Sequence, residues 1–424
     1  MKMQLQFGEQ NFELRLPAGK HVPIAQPAAN EQNADSSQLL RECLENPTGF
    51  PALRLAVTPD DHVAVVLDPG LPQLEALLSV LMEHLREAGV QPETVTLVLA
   101  DEPAVPSWRD VLGQWKDRLT IEIHEPKNRD KLSYLAATQK GRRVYINRTV
   151  VDADQAVVLS RAGYDWARGY TGATAAIFPA LSDEATRQEF SALTESFADG
   201  RAADVFLREG EETAWLLGAP FFVQVIEGIG DDIAQIVAGA SDSLSQARSQ
   251  LEAVWALPEK RKASLIIANV TGSAGRLDLR DLAGAAAKSA SFAETDAVLA
   301  ILYPGLVEFD EAMQVVCHAS DATDAVRQLH RQKPQDPSAA LQWLSAVGRT
   351  HVYLLSPAVA SDTVEEMLAV PLEKVEQLQK LIDAAESVML LSDPHKIVTG
   401  PAHASAKHAA RMEKSRRSGS SDDE

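Results

Sequence analysis

The stretch that decides the fold is His62–Ala100, HVAVVLDPGLPQLEALLSVLMEHLREAGVQPETVTLVLA. Its two ends, HVAVVLD and VTLVLA, are short apolar runs of the kind that forms buried strands. Between them, leucines recur at the 3-, 4- and 7-residue spacing of one buried helix face. Pro72 suits the first position of this helix, and Gly89 suits its end. This strand–helix–strand order predicts a right-handed parallel βαβ unit.

The same strand and helix signals continue along the chain and predict an α/β fold. The length of 424 residues exceeds what one hydrophobic core usually supports, so we expect about two domains. A β-hairpin is predicted over Met1–Leu16, with its turn at FGEQN, and a second hairpin over PFFVQVIEG and DDIAQIVAG. The predicted divisions are a first α/β domain over 1–240, with an extended or flexible segment over 17–38, a connecting helix over 241–260, a smaller doubly wound α/β domain over 261–398, and a disordered tail over 399–424.

The composition is that of an acidic globular protein. The formal net charge is −20, which disfavours nucleic acid and anionic lipid as partners. Two cysteines without CxxC spacing, Cys43 and Cys317, argue against a disulfide framework or a structural zinc site. No apolar run reaches membrane-spanning length and no signal-peptide pattern opens the chain, so we expect a cytoplasmic protein.

The segment RAGYDWARGYTGATAAIFPAL, Arg161–Leu181, is the main candidate for a ligand-binding loop. It follows an apolar strand that ends at Ser160, and ligands of open α/β sheets bind at the carboxyl ends of strands. Gly169, Thr171 and Gly172 would let backbone N–H groups approach a phosphate or carboxylate, and Arg168 would supply positive charge. The alternative is a glycine-containing connection without a ligand. GYTG matches neither the P-loop nor the GxGxxG pattern.

Three further features carry open alternatives. Asp68, at the end of the first buried strand, binds a ligand hydroxyl or begins the following helix. VTGSAGRLDL, Val270–Leu279, grips an anion or only connects a strand to a helix, with Asp278, Arg280 and Asp281 as helix-start charges or surface pairs. His124 is a solvated loop residue or a functional one.

Conventional hydrolase and metal motifs are absent from the sequence. It contains no HxxxH or HExxH pattern, so we predict no histidine-based metal site. It also contains no GxSxG elbow, which argues against a serine hydrolase.

Four stretches resemble the nickel-dependent lactate racemases and their relatives. They are LLRECLENPTGFPALRLAVTPDDHVAVVLDPGLPQ, HEPKNRDKLSYLAATQKGRRVYINRTVVDADQAVVLSR, GYDWARGYTGATAAIFPAL and KASLIIANVTGSAGRLDLRDLAGAAAKSA. Their order and spacing match the family over roughly Met1–Val398. The resemblance implies two α/β domains with parallel-type sheets that flank a cleft, in which family members hold a nickel-pincer nucleotide.

The resemblance also places substitutions at most of the family's working positions. Asp165 stands at a catalytic histidine, Ala175 at the lysine that tethers the cofactor, and Phe190 near the histidine that binds nickel. The loop of the other catalytic histidine corresponds to DEPAVP, which contains none. The family's glutamine and lysine of the second domain fall at Ala283 and Ala286, with Lys288 as a shifted replacement. What the resemblance retains is Asp68 and the scaffold residues Gly169, Gly172 and Pro179, with Tyr170 and Thr171 as lining residues.

Three hypotheses follow. The first is a diverged relative, a pseudoenzyme candidate without lactate racemase activity, that binds a small anionic ligand in the cleft through Asp68, Arg168, Gly169, Tyr170, Thr171 and Gly172. The second is an active racemase or epimerase acting on a 2-hydroxy acid, with Asp165 and Lys288 as catalytic residues, with or without the nickel cofactor. The third is a non-catalytic interaction protein. The sequence assigns no metal ligand, cofactor or oligomeric state to this chain.

Overall fold

The computed structural model describes residues 2–8, 10–24, 27, 35–103, 108–194, 201–218, 220–257 and 261–398. Among these residues the strands are β1 (Lys2–Phe7), β2 (Gln10–Arg15), β3 (Val63–Leu67), β4 (Val95–Leu99), β5 (Thr120–Ile123), β6 (Leu132–Ala137), β7 (Arg143–Asn147), β8 (Gln155–Arg161), β9 (Gly163–Asp165), β10 (Gly169–Thr171), β11 (Phe221–Glu227), β12 (Ile233–Gly239), β13 (Ala263–Asn269), β14 (Ala293–Leu302), β15 (His351–Leu355), β16 (Val370–Pro371) and β17 (Val388–Ser392).

The helices of the described residues are α1 (Ser36–Glu45), α2 (Leu74–Glu87), α3 (Arg148–Asp152), α4 (Thr174–Ile177), α5 (Glu184–Leu193), α6 (Arg201–Leu216), α7 (Asp242–Trp255), α8 (Leu279–Ala290), α9 (Glu311–Cys317), α10 (Ala322–Gln332), α11 (Ser338–Val347), α12 (Ser361–Glu366) and α13 (Gln377–Ala384). None of them is both long and apolar enough to cross a membrane.

The first large sheet has the strand order β12–β11–β8–β3–β4–β5. Pairing is parallel from β11 to β5, and β12 closes one edge as the antiparallel partner of β11. The predicted strand–helix–strand unit is present as β3, α2 and β4, with Val63 opposite Val95. The predicted hairpin over residues 220–239 is confirmed as β11 and β12. Leu77, Leu81 and Leu85 of α2 are fully buried against this sheet, as their spacing predicts.

The second sheet is entirely parallel, in the order β16–β15–β14–β13–β17. The α/β class predicted from the sequence is therefore confirmed. The Ala-rich helix α8 packs against α11, and this close approach suits its small side chains. The N-terminal hairpin β1–β2 forms as predicted, and its Leu5 and Leu14 pack on the second sheet.

Two predicted boundaries are wrong for reasons that lie outside the local sequence. Helix α2 begins at Leu74 and not at Pro72, because Gln73 adopts a left-handed conformation with φ 53°. The Oε1 of Gln73 accepts from the Ser36 hydroxyl at 2.6 Å, and its Nε2 donates to the Asp231 carbonyl oxygen at 3.3 Å. These tertiary contacts accompany the left-handed conformation of Gln73. Residues 36–38, predicted to be extended, form the first turn of α1 because the Asp35 carboxylate accepts from the N–H groups of Ser37 and Gln38.

Two predicted segments fall wholly or partly outside the described residues. These are the disordered tail over 399–424 and, within the extended segment, residues 25, 26 and 28–34. Helix α7 occupies the place of the predicted connecting helix, and Gly89 follows α2 with φ 93°, as expected for a helix-ending glycine.

Candidate functional site

Polar side chains gather where the parallel strands of the first sheet end. Asp68 follows β3, and its carboxylate accepts from the Nε of Arg161, at the end of β8, at 2.8 Å. Its other oxygen accepts from the N–H of Gly70 at 2.9 Å, so Asp68 also shapes the turn after β3. Asp68 does not cap α2, which begins six residues later.

His124, which follows β5, is buried. Its Nε2 lies 2.9 Å from the Ser182 carbonyl oxygen, and burial lowers the pKa of the ring. The expectation of a solvated loop histidine is therefore wrong. The hydrogen bond joins the edge of the sheet to the segment that precedes α5.

The candidate loop forms a small antiparallel ribbon, β9 and β10, whose turn is organised by Asp165. One oxygen of Asp165 accepts from the N–H groups of Ala167 and Arg168, each at 2.8 Å. The other accepts from the Nε2 of Gln342 at 2.9 Å. Gln342 lies on α11, within the second domain predicted over 261–398. Both oxygens of this predicted catalytic carboxylate are thus engaged in holding a turn and a domain contact.

Arg168, predicted to bind a ligand anion, binds a carboxylate of the protein. Its Nη2 lies 2.5 Å from Asp336 and 3.1 Å from the Ser338 hydroxyl, both from the segment that begins α11. Its Nε is buried without a hydrogen-bond partner in the structure. Arg168 and Asp165 therefore lie together and face the second domain, whereas Asp68 is paired with Arg161.

Steric constraints explain why glycine occupies positions of this loop. Gly172 has φ 76°, and an added Cβ would collide with the Arg161 carbonyl oxygen. The next residue, Ala173, has φ 44° and ψ −116°, a region that costs a residue with a Cβ about 1–3 kcal/mol. The hydroxyl of Ser160 accepts from the Ala173 N–H at 2.8 Å and supports this conformation. Strained backbone of this kind is commonly found at ligand sites.

A small cavity lies beside the loop, lined by Gly163, Tyr170, Thr171, Gly172, Ala175, Phe206, Gln224 and Arg248 among others. Its volume of about 20 Å³ holds about one water molecule. Tyr170 donates from its hydroxyl to Glu252 of α7, and burial together with that carboxylate raises the pKa of the phenol. Gly169 and Thr171 pair with Asp165 and Gly163 across the ribbon.

Phe190 and Lys288 are also bound up in packing. Phe190, on α5, is fully buried, and its ring packs edge-on against Phe178 and Phe206 with centroids 4.9 and 5.0 Å away. Lys288, on α8, is 1% exposed and donates to the carbonyl oxygens of Tyr164 and His395. Burial lowers the pKa of Lys288 to about 8. Lys288 thus anchors the candidate loop to the second domain.

A cluster of charged side chains around the buried Glu227 was not predicted from the sequence. Glu227, the last residue of β11, lies 3.0 Å from Lys396, 3.4 Å from Arg276 and 4.0 Å from Arg161. Arg276 and Lys396 belong to the second domain. Burial alone would raise the pKa of Glu227, but the three cations together hold it well below its usual range. The only sequence signal was an acid at the end of the apolar strand FFVQVIE.

Among the described residues, the one group of side chains placed to hold a metal ion is Glu45, His84 and Glu87. It lies on α1 and α2. Glu45 is already paired with Arg54 through two hydrogen bonds of 2.8 and 3.0 Å, and His84 accepts from the Arg54 N–H at 3.0 Å.

Comparison with known proteins supports the resemblance over the first part of the chain. Residues 7–196 match the family model described as the lactate racemase N-terminal domain. The resemblance seen in the sequence is confirmed there. No match was found among curated proteins.

Two solved structures share the fold. The lactate racemase apoprotein from Thermoanaerobacterium thermosaccharolyticum superposes with a TM-score of 0.71 at 13% identity, covering 94% of this chain and 99% of the other. A protein from Thermotoga maritima superposes with a TM-score of 0.64 at 11% identity, covering 87% of this chain and all of the other. At identities this low, these superpositions show a shared fold and nothing further.

The first prediction concerns Glu227. Glu227→Gln removes the buried carboxylate shared by three partly buried cations, so we expect the free energy of unfolding to fall by about 3–5 kcal/mol. Urea titration measures this change. Asp110→Asn, which breaks the exposed pair with Lys116, is the matched control and should leave the free energy of unfolding nearly unchanged. A loss at Glu227 no larger than that of the control contradicts this account of the interface.

The second prediction concerns the strained backbone of the loop. Ala173→Gly relieves the positive φ, and we expect it to raise the free energy of unfolding by about 1 kcal/mol after the entropy cost of glycine. Ala176→Gly, in the regular turn of α4, is the control and should lower it by about 0.5–1 kcal/mol. Equal losses in the two variants would show that Ala173 is not strained.

Proposed function

We propose that this protein is a diverged relative of lactate racemase that lacks lactate racemase activity and binds a small carboxylate between its domains. The absence of lactate racemase activity is proposed because Asp165, Lys288 and Phe190 make structural contacts. Each stands at or beside a position where the resemblance places a working group, and each is engaged in a contact of the fold.

The residues present do not fit a tethered nickel-pincer nucleotide. Ala175 offers a methyl group where the resemblance places an amine. Phe190 offers a ring enclosed by Phe178 and Phe206 where the resemblance places a nickel ligand. The cavity beside Ala175 has room for about one water molecule. The function proposed for this protein therefore involves no chemistry of that cofactor.

Proton transfer by Asp165 and Lys288 is also disfavoured by their surroundings. A catalytic acid or base needs a free position within hydrogen-bond reach of its substrate. Asp165 accepts three hydrogen bonds, and Lys288 is buried between two carbonyl groups. Their roles in the fold account for these interactions without a substrate.

Arg280, on the first turn of α8, is the group that supports carboxylate binding. Its side chain is 60% exposed and lies 3.5 Å from Asp336, whereas Arg168 lies 2.5 Å from the same oxygen. Asp336 thus pairs more closely with Arg168 than with Arg280. The guanidinium of Arg280 is therefore less engaged than that of Arg168. The negative charge of Asp336 is the main cause that raises the pKa of Arg280. A guanidinium there offers a carboxylate two parallel hydrogen bonds.

Lactate racemisation tests the first half of the proposal. After expression together with the enzymes that make the nickel cofactor, the protein should racemise lactate no faster than a protein-free sample. The lactate racemase from Thermoanaerobacterium thermosaccharolyticum, prepared in the same way, is the positive control.

Variants of the two suspected catalytic residues separate the alternatives. Asp165→Ala should lower the free energy of unfolding by about 1–3 kcal/mol because it removes the acceptor of three hydrogen bonds, whereas Asp165→Asn should retain most of it. If the protein shows lactate turnover that Asp165→Asn abolishes without loss of stability, the catalytic hypothesis holds and ours fails.

Carboxylate binding is tested with L-lactate and D-lactate as probes. Saturation-transfer NMR should detect contact of these probes with the wild-type protein and lose it in Arg280→Ala. Arg327→Ala, which removes an exposed arginine paired with Asp324 on α10, is the matched control and should bind as the wild type does. Contact that persists in Arg280→Ala, or that is absent from the wild type, rules out this site.

A further inference from the structure

The loop Thr271–Arg276 occupies the position in the second sheet where ligands of doubly wound folds bind. In the strand order β16–β15–β14–β13–β17, the strands β14, β15 and β16 follow one another on one side of β13. The last strand, β17, pairs with the opposite side of β13. The crevice beyond the carboxyl ends of β13 and β17 is therefore the switch point of the sheet. Thr271–Arg276 follows β13, and Asp393 follows β17.

The loop holds a carboxylate from the other domain. Asp231, in the turn between β11 and β12, accepts from the Ser273 N–H at 2.9 Å and from the Ser273 hydroxyl. Arg276 adds Nε at 2.8 Å and Nη2 at 2.7 Å. One backbone N–H, one hydroxyl and a guanidinium, whose Nε and Nη2 both contact Oδ1 of Asp231, are groups by which proteins bind the carboxylates of ligands.

The backbone of the loop is shaped for this contact. Gly272 has φ 105°, and an added Cβ would lie 2.9 Å from Oδ1 of Asp231. Beneath it, the fully buried Asp393 accepts from the Thr271 N–H at 2.6 Å, from the Thr271 hydroxyl at 2.9 Å and from the Gly230 N–H at 2.6 Å. Asp393 therefore forms the floor of the site, with Asp231 above it.

Asp231 is the more replaceable of the two acids. Its side chain is 35% exposed, whereas that of Asp393 is fully buried. It lies in a short turn that contains Gly228 and Gly230, and Gly230 has φ 62°. Displacing the Asp231 side chain leaves the floor of the site and the strand pairing in place.

We propose that the loop Thr271–Arg276 is a binding site for a small monocarboxylate, and that the side chain of Asp231 fills it as an internal ligand. An incoming carboxylate takes the hydrogen bonds of Ser273 and Arg276 and displaces the side chain of Asp231, while the turn stays bonded to Asp393 through the Gly230 N–H. The local charges favour a single negative charge over a phosphate dianion, because Glu227 and Asp393 already face Arg276 and Lys396. This site is separate from Arg280 and does not rest on the function proposed above.

The test removes the internal ligand and offers acetate in its place. The melting temperature of full-length Asp231→Ala is measured against sodium acetate, with sodium chloride at equal ionic strength as the reference. We expect a saturable rise of about 2 °C for acetate over chloride, because acetate binds the folded state alone. Wild type should need a higher acetate concentration for the same shift, since Asp231 competes. Asp232→Ala, which changes the neighbouring acid, is the matched control and should respond as the wild type does.

Further variants make the outcome decisive. Asp231→Ala with Ser273→Ala should lose the acetate response, and Asp231→Ala with Arg280→Ala should keep it, which separates this site from the one at Arg280. If Asp231→Ala does not fold, Asp231→Ser replaces it in the same titration. A folded Asp231 variant that responds equally to acetate and chloride overturns the proposal, as does a response that survives Ser273→Ala.

Discussion

Glu227 is a buried carboxylate that contacts cations from the ends of both large sheets. It ends a strand of the first sheet, and two of its three cationic partners, Arg276 and Lys396, come from the second domain. A carboxylate taken out of water is stable only when such partners and further hydrogen bonds surround it. Arg276 also donates to the Gly70 carbonyl at 2.6 Å, and Lys396 to that of Gly230 at 2.7 Å, so the cluster joins both domains at the ends of their strands.

The candidate loop lies against the second domain, where its polar groups contact other residues of the protein. Asp165 meets Gln342, Arg168 meets Asp336, and Lys288 reaches back to Tyr164. The glycines of this loop thus have steric roles, and side chains at the positions where the resemblance places working groups contact other parts of the fold. The strain at Ala173 and the exposed guanidinium of Arg280 are the features of this region that packing does not account for.

Local pattern was enough to predict the elements but not the partners of the site residues. The α/β order, the hairpin β11–β12 and the buried face of α2 follow from spacing within a few residues. The start of α2 does not, because Gln73 is engaged by Ser36 and Asp231. The role of Asp165 depends on Gln342, 177 positions away, and that of Lys288 on His395, 107 positions away. VTGSAGRLDL contacts a carboxylate of the protein itself, that of Asp231, and a ligand anion at this turn stays a prediction.

The central claim is that the residues at the family's cofactor positions now serve the fold. Native mass spectrometry tests it most directly, on the full-length protein purified after expression with the enzymes that make the nickel-pincer nucleotide. The account predicts the mass of the unmodified chain, with neither nickel nor nucleotide retained. A stoichiometric complex with the nickel-pincer nucleotide would contradict it.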